Sequence, residues 1–164
     1  MSDQPAKDGR FHDMVAQGLP EDPWNEVVLG LWVGSSEVEY PRNEFDAVLS
    51  VFDWHFDRTG WLPPPGTPHL VLPLYDSKDI PIKSELKLAS DFIHLYHKDA
   101  RPVLIRCQAG LNRSSLVTAV YMCEHLGFSG IQAIKAIKSV REGALFNRYF
   151  RQYLIDTYKP WETT

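Results

Sequence analysis

Only two of the 164 residues are cysteine, so no disulfide framework holds this chain together. No apolar run reaches the ~20 residues that cross a bilayer. The opening Met1-Ser2-Asp3-Gln4 lacks the basic-then-apolar pattern of a secretory signal. A basic surplus is missing too, since 17 Lys and Arg against 21 Asp and Glu leave a net charge of −4. With a pI near 5.8, the chain lacks the positive surface that nucleic acids select. No internal repeat occurs, and no composition shift marks a second domain. These absences predict a monomeric, cytoplasmic protein in a reducing compartment, bound to neither nucleic acid nor membrane. The rest is ordinary: 44% hydrophobic and 23% charged residues suit one globular domain with a sizeable core.

Residues 1–24 are polar and broken by Pro5, Gly9, Gly18, Pro20 and Pro23, and read as a flexible tail. Phe11, Met14 and Val15 are spaced to dock one amphipathic turn of it. Residues 25–160 read as a single domain. Within it, 27–33 predicts a strand or hairpin arm broken by Gly30, 36–43 a short helix or turn, and 46–52 a β-rich run. Residues 54–68 hold Gly60, Gly66 and four prolines, which makes them a long loop. Its Trp54, His55, Phe56, Arg58 and Trp61 form a candidate substrate rim. A further apolar run covers 69–74, and 75–81 is a loop. Over 83–98, Leu86, Ala89, Phe92, Ile93 and Tyr96 fall at helical spacing.

Residues 102–105 predict a strand, and 114–126 a helix with Leu116, Val117, Val120 and Cys123 on one face, closed by Gly127. Ser129-Gly130-Ile131-Gln132 has capping-box spacing and opens a helix bearing Ile131, Ile134, Ile137 and Val140. Gly143 ends that helix, and Asn147 caps a last one through Tyr158. Strands separated by helices predict an α/β domain, a central mainly parallel sheet flanked by helices.

The stretch 102–115 carries the chemistry. A β-type run, Val103-Leu104-Ile105, feeds a loop containing Gly110, and the loop closes onto a helix opening at Ser114. Such a loop turns backbone N–H groups inward beside the positive end of the helix dipole, which makes an anion site. A cysteine facing it, Cys107, is favoured as thiolate. Arg113 can fork onto two oxygens of a bound phosphate. Gln108, Ala109, Gly110, Leu111 and Asn112 supply mainly backbone N–H donors. Ligands of parallel sheets bind at the carboxyl ends of the strands, and Cys107 falls there. The implied chemistry is a thiolate attacking phosphorus in an oxyanion cradle. A carboxylic acid from another loop must then protonate the leaving oxygen.

Cys107, five residues, Arg113 and Ser114, set between a strand and a helix, resemble the signature loop of the cysteine-based protein tyrosine phosphatases. The dual-specificity branch fits best. Leu29-Gly30-Leu31-Trp32-Val33-Gly34-Ser35 is similar to that branch's opening segment, and Arg141 with Phe146-Asn147-Arg148-Tyr149-Phe150 resembles its closing one. The resemblance spans roughly residues 27–158 and is strongest over 102–120. It implies a single compact domain with the protein tyrosine phosphatase-like fold. It also implies hydrolysis of phosphotyrosine, and of phosphoserine or phosphothreonine, in a protein or peptide through a phosphocysteine, with no cofactor and no metal. Cys107 is then the nucleophile, and the hydroxyl of Ser114 helps the thiolate leave. Asp76 falls where the family places its general acid. Asp79 is its rival, and Asp53 and Asp57 are outside candidates.

Two departures from the family pattern stand out. Arg106 precedes the nucleophile where the family has a histidine that helps hold the loop. The loop also lacks the lysine of relatives that cleave phosphoinositides. Two other functions compete. One is RNA 5′-triphosphatase activity, because Gly110-Leu111-Asn112-Arg113 is similar to the loop of that branch. The other is a non-catalytic phosphopeptide-binding module. Ten helical residues beyond Arg113 place Cys123 about 15 Å further off, too far to bridge Cys107, so it reads as core. His94 and His97 read as solvated surface.

Overall fold

The computed structural model describes residues 22–41, 44–52 and 61–161. Five strands and four helices follow in the order β1 (Trp24–Val28), β2 (Leu31–Ser35), β3 (Ala47–Ser50), β4 (His69–Val71), α1 (Lys83–His97), β5 (Val103–Cys107), α2 (Arg113–His125), α3 (Gly130–Val140) and α4 (Arg148–Thr157). The apolar segment read as broken at Gly30 is a hairpin of β1 and β2, paired antiparallel. Gly30 has φ +81°, and a Cβ there would lie 2.6 Å from the Ala100 carbonyl oxygen, so turn geometry and close approach both require glycine.

The sheet order is β1-β2-β5-β3-β4, and every pair except β1–β2 is parallel. The domain is thus α/β with a mostly parallel sheet, as the alternation of elements predicts. Four parallel strands bring their carboxyl ends to one edge, where Ser35 pairs with Cys107 and Ser50 with Arg106.

The two faces of this sheet differ. Leu31, Ala47, Leu49, Val103, Ile105 and Cys107 face a core to which all four helices contribute. On the other face, Val48 and Leu104 join Val38, Tyr40 and Phe45, with Trp24, Trp32 and Trp61 packed on them. The period-two alternation of a strand divides neighbours this way.

Helix α2 is buried continuously from Ser114 to Met122. Its expected single apolar face is too narrow a reading, because sheet and helices surround it. Ser129 and Gln132 form the expected capping box of α3. There, however, Ala133, Ile134 and Ile137 are buried, while Ile131 and Val140 are 40% and 39% exposed. No helix forms among the described residues of 36–43, where Tyr40 instead turns its hydroxyl onto the Ser35 carbonyl at 2.6 Å.

His97 corrects the solvated-surface expectation. It is 6% exposed and continues the buried stripe of Leu86, Ala89, Ser90 and Ile93. Its Nε2 donates to the Leu29 carbonyl at 2.8 Å, and its Nδ1 lies 2.7 Å from the Tyr121 hydroxyl. His94 stays exposed and stacks on His125 with ring centroids 4.1 Å apart. Among the described residues no cluster of three or more His, Cys, Asp or Glu could hold a metal. None of their helices is long and apolar enough to cross a membrane.

Candidate active site

Cys107 ends β5, and after five intervening residues Arg113 opens α2. The carbonyls from Cys107 to Leu111 are taken from outside the loop, and that of Asn112 by the first turn of α2. Cys107 O accepts from Ser36 N at 2.7 Å, and Gln108 O accepts from the Ser35 hydroxyl. Arg141 donates through Nη2 to Ala109 O at 3.1 Å and through Nε to Gly110 O at 2.6 Å. Leu111 O accepts from Leu145 N at 2.9 Å, and Asn112 O from Leu116 N at 2.8 Å. A trans peptide points its N–H away from its C=O. Fixing the carbonyls outward therefore leaves the loop N–H groups to the inner side, where an anion can be cradled. Gly110, at φ +69°, permits the winding, and a Cβ there would meet Gly34 C at 2.4 Å.

Cys107 is 2% exposed, and its Sγ lies 3.2 Å from the Ser114 Oγ. Ser114 is fully buried inside the first turn of α2, whose N-cap is Asn112. Arg113 is half-buried and donates from Nη1 to the Leu74 carbonyl at 3.3 Å. Asp76 comes from the connection between β4 and α1. Its two carboxylate oxygens accept from Asn112 Nδ2 and Asn147 Nδ2, each at 2.8 Å. Asp76, Asn112, Arg113, Ser114 and Cys107 are thereby gathered at one edge. Asp79 is exposed, with its backbone N–H on the Ser77 hydroxyl. It lines a groove of about 440 Å³ with Tyr75, Ile80, Pro81 and Glu85. Asp53 and Asp57, with most of the candidate rim, lie outside the described residues, as does the tail through residue 21.

Arg106 does not take up the histidine's expected task. Alternation points it to the opposite sheet face, where it is fully buried. Its Nε donates to the Ser50 hydroxyl at 2.8 Å, and its guanidinium lies 4.9 Å from the Trp61 ring centre and 5.5 Å from that of Phe52. Desolvation brings its pKa down to about 10. Loop rigidity comes from Ser35, Ser36 and Arg141 instead. Arg141 is 1% exposed and also donates from Nη1 to Asp22 O and Asn25 Oδ1, both at 2.8 Å.

These loop-holding roles are absent from the sequence reading, although Arg141 stands in the segment singled out there and Ser35 pairs with Cys107 across the sheet. Cys107 and Cys123 are both free thiols. Cys123 packs half-buried against the helix core, as expected, and burial together with Glu124 pushes its thiol up to about 12.

The comparisons with known proteins agree with this geometry. Human dual specificity protein phosphatase 15 is 33% identical over 86 residues, which cover 52% of this chain and 29% of that protein. Rat dual specificity protein phosphatase 26 is 25% identical over 138 residues, covering 80% of this chain and 65% of the relative. The chain thus spans under two thirds of either relative. The crystal structure of human DUSP28 superposes with a TM-score of 0.70 at 21% identity, over 86% of this chain and 96% of that one. The family model described as "Dual specificity phosphatase, catalytic domain" matches residues 28–159. The chain therefore belongs to the dual-specificity phosphatase family.

Proposed function

We propose that the chain is a cysteine-dependent protein phosphatase acting on phosphotyrosine, and on phosphoserine or phosphothreonine. The observation that carries this reading is the loop itself. A buried thiol sits at its base, the carbonyls from Cys107 to Leu111 are held from outside, and a carboxylate is tied to its far end. In the first step the Cys107 sulfur bonds to phosphorus as the ester oxygen leaves, taking a proton from Asp76. Arg113 and the N–H groups of residues 108–112 hold the equatorial oxygens, where the charge spreads. In the second step Asp76 removes a proton from water, the water oxygen attacks the phosphocysteine, and phosphate departs. The sulfur leaves as thiolate and accepts a hydrogen bond from Ser114. Splitting one displacement into two is the gain of covalent catalysis.

The tie to Asn112 supports Asp76 over Asp79 as the acid. The two free thiols are compatible with a monomeric enzyme in the reducing cytoplasm. The test is hydrolysis of p-nitrophenyl phosphate and phosphopeptides, with a chelator present, by the native chain and Cys107→Ser. Chelator-resistant turnover should vanish in the variant. No turnover by the native chain, with phosphate-analogue binding retained, would make it a binding module.

A further inference from the structure

Two asparagine side chains beside the loop have no part in the steps above. Asn147 Oδ1 accepts from the backbone N–H groups of Tyr149 at 3.0 Å and Phe150 at 3.2 Å, as the N-cap of α4. An oxygen is thus fixed on that side of the amide, and its Nδ2 must face the other way. There it donates to Asp76 Oδ1 and to Ser77 O, both at 2.8 Å. Asn112 is fixed by the same logic. Its Oδ1 accepts the backbone N–H of Asn147 at 3.0 Å, which turns its Nδ2 onto Asp76 Oδ2 at 2.8 Å. Neither amide can flip without facing N–H against N–H. Asp76 therefore meets two obligate donors, one on each oxygen, and each oxygen keeps a further lone pair for a proton or another donor.

We propose that Asn112 and Asn147 are positioning residues for the general acid, and that Asn112 couples the acid loop to the phosphate loop. This rests on the acid role assigned to Asp76 above. Asn112 is the residue immediately before Arg113, so its amide and the phosphate-binding guanidinium leave the same turn. Arg113 reaches Leu74 O, Asn112 and Asn147 reach Asp76, and Asn147 reaches Ser77 O. Residues 74–77 are thereby pinned to the nucleophile loop and to α4. The chain's own side chains thus hold the acid in one orientation, which favours a productive geometry. A proton donor matters most when the departing oxygen is strongly basic, so these amides should matter in proportion to leaving-group basicity.

The experiment measures kcat/KM for aryl phosphates graded from p-nitrophenyl to phenyl phosphate. The chains compared are native, Asn112→Ala, Asn147→Ser, Asp76→Ala and Asp76→Ala/Asn112→Ala. Serine at 147 keeps a capping oxygen and drops only the amide, and thermal melts check that each variant is folded. Asn112→Ala and Asn147→Ser should cost less than ~3-fold on p-nitrophenyl phosphate and roughly 10–100-fold on phenyl phosphate. Most of the loss should lie in kcat, and adding Asn112→Ala to Asp76→Ala should cost nothing more. An equal loss across the series, or full additivity with Asp76→Ala, would overturn the proposal. Cys107→Ser separates the underlying reading: turnover surviving in it removes the thiol mechanism altogether. If Cys107→Ser is inactive while Asp76→Ala leaves the leaving-group dependence unchanged, the phosphatase reading stands and the acid lies elsewhere, which also overturns this proposal.

Discussion

Arg106 and Arg141 are both fully inside the domain, and the protein treats the two guanidinium groups differently. Arg141 lies behind the loop of residues 108–112, and each of its three nitrogens meets an acceptor: Ala109 O, Gly110 O, Asp22 O and Asn25 Oδ1. Arg106 lies one residue before Cys107 yet on the far face of β5. It has the Ser50 hydroxyl and a long 3.4 Å contact to Trp61 O, and its Nη2 meets no partner among the described residues. Burying a cation costs several kcal/mol unless hydrogen bonds and geometry offset it. Arg141 meets that condition through the loop it supports, and Arg106 only in part through two aromatic faces. The difference teaches that closeness in sequence to Cys107 is a poor guide to what holds its loop. An arginine 34 positions downstream does the holding.

The sharpest way to break this contrast is Arg141→Ala. It strands four acceptors at once, Gly110 O buried and the other three part-buried, and an acceptor left unmade costs up to ~1–3 kcal/mol. We expect a loss of at least ~3 kcal/mol, seen as a fall in Tm of about 6–12 °C for a chain of this size. Phosphatase turnover should fall with it. A melt within a degree or two of the native one would dissolve the distinction.

On the other face the order of damage should be the reverse of the order of chemical change. Ser50→Ala removes one hydroxyl, yet it leaves both the Arg106 Nε and the His69 Nε2, 2.8 and 2.7 Å away, without their partner. That change should cost ~1–3 kcal/mol in denaturant unfolding. Arg106→Met removes a whole cation and should fall within ~1 kcal/mol of the native stability, because an apolar side chain of similar volume avoids the desolvation. Turnover should stay near native in Arg106→Met. A larger loss there than in Ser50→Ala would mean that Arg106 shares the work of Arg141.

The smallest effect is a pH slope. Burial, and then the nearby Arg106 charge, push the pKa of His69 down to about 4. Between the unfolded value near 6.5 and about 4, the unfolded chain binds a proton that the folded chain excludes. His69 therefore makes stability fall as the pH drops through that window, and its contribution levels off below it. Melts of native and His69→Gln protein across this range should converge toward the acid end. In Arg106→Met the window should narrow from its acid side. Parallel curves for native and His69→Gln protein would refute the assignment.

Much of this molecule was legible from the chain because the signals are local. The capping box at Ser129, the Asn147 cap, the helical spacing of α1 and the Cys107-to-Ser114 loop each depend on residues within a turn or two of one another. The hydrogen bonds and periodicities that encode them survive in any context. His97 was misread although its spacing from Ile93 placed it on the buried stripe, since a polar ring at a buried position is legible only with its partners, Leu29 O and Tyr121, in view. Arg106 could have been assigned to the far face from the two-residue period of β5. Its aromatic surroundings could not.

What the sequence determined by itself was the α/β alternation, the mostly parallel sheet, and the place of the thiol at a strand's carboxyl end before a helix. What only the tertiary structure decided was the company that thiol keeps. Ser35 reaches Gln108 across 73 positions, Asn147 reaches Asp76 across 71, and Arg141 reaches Gly110 across 31. Such contacts carry no local signature, because each is made by polar groups that would be equally satisfied by water until the packing of strands and helices removes the water and leaves one partner within reach.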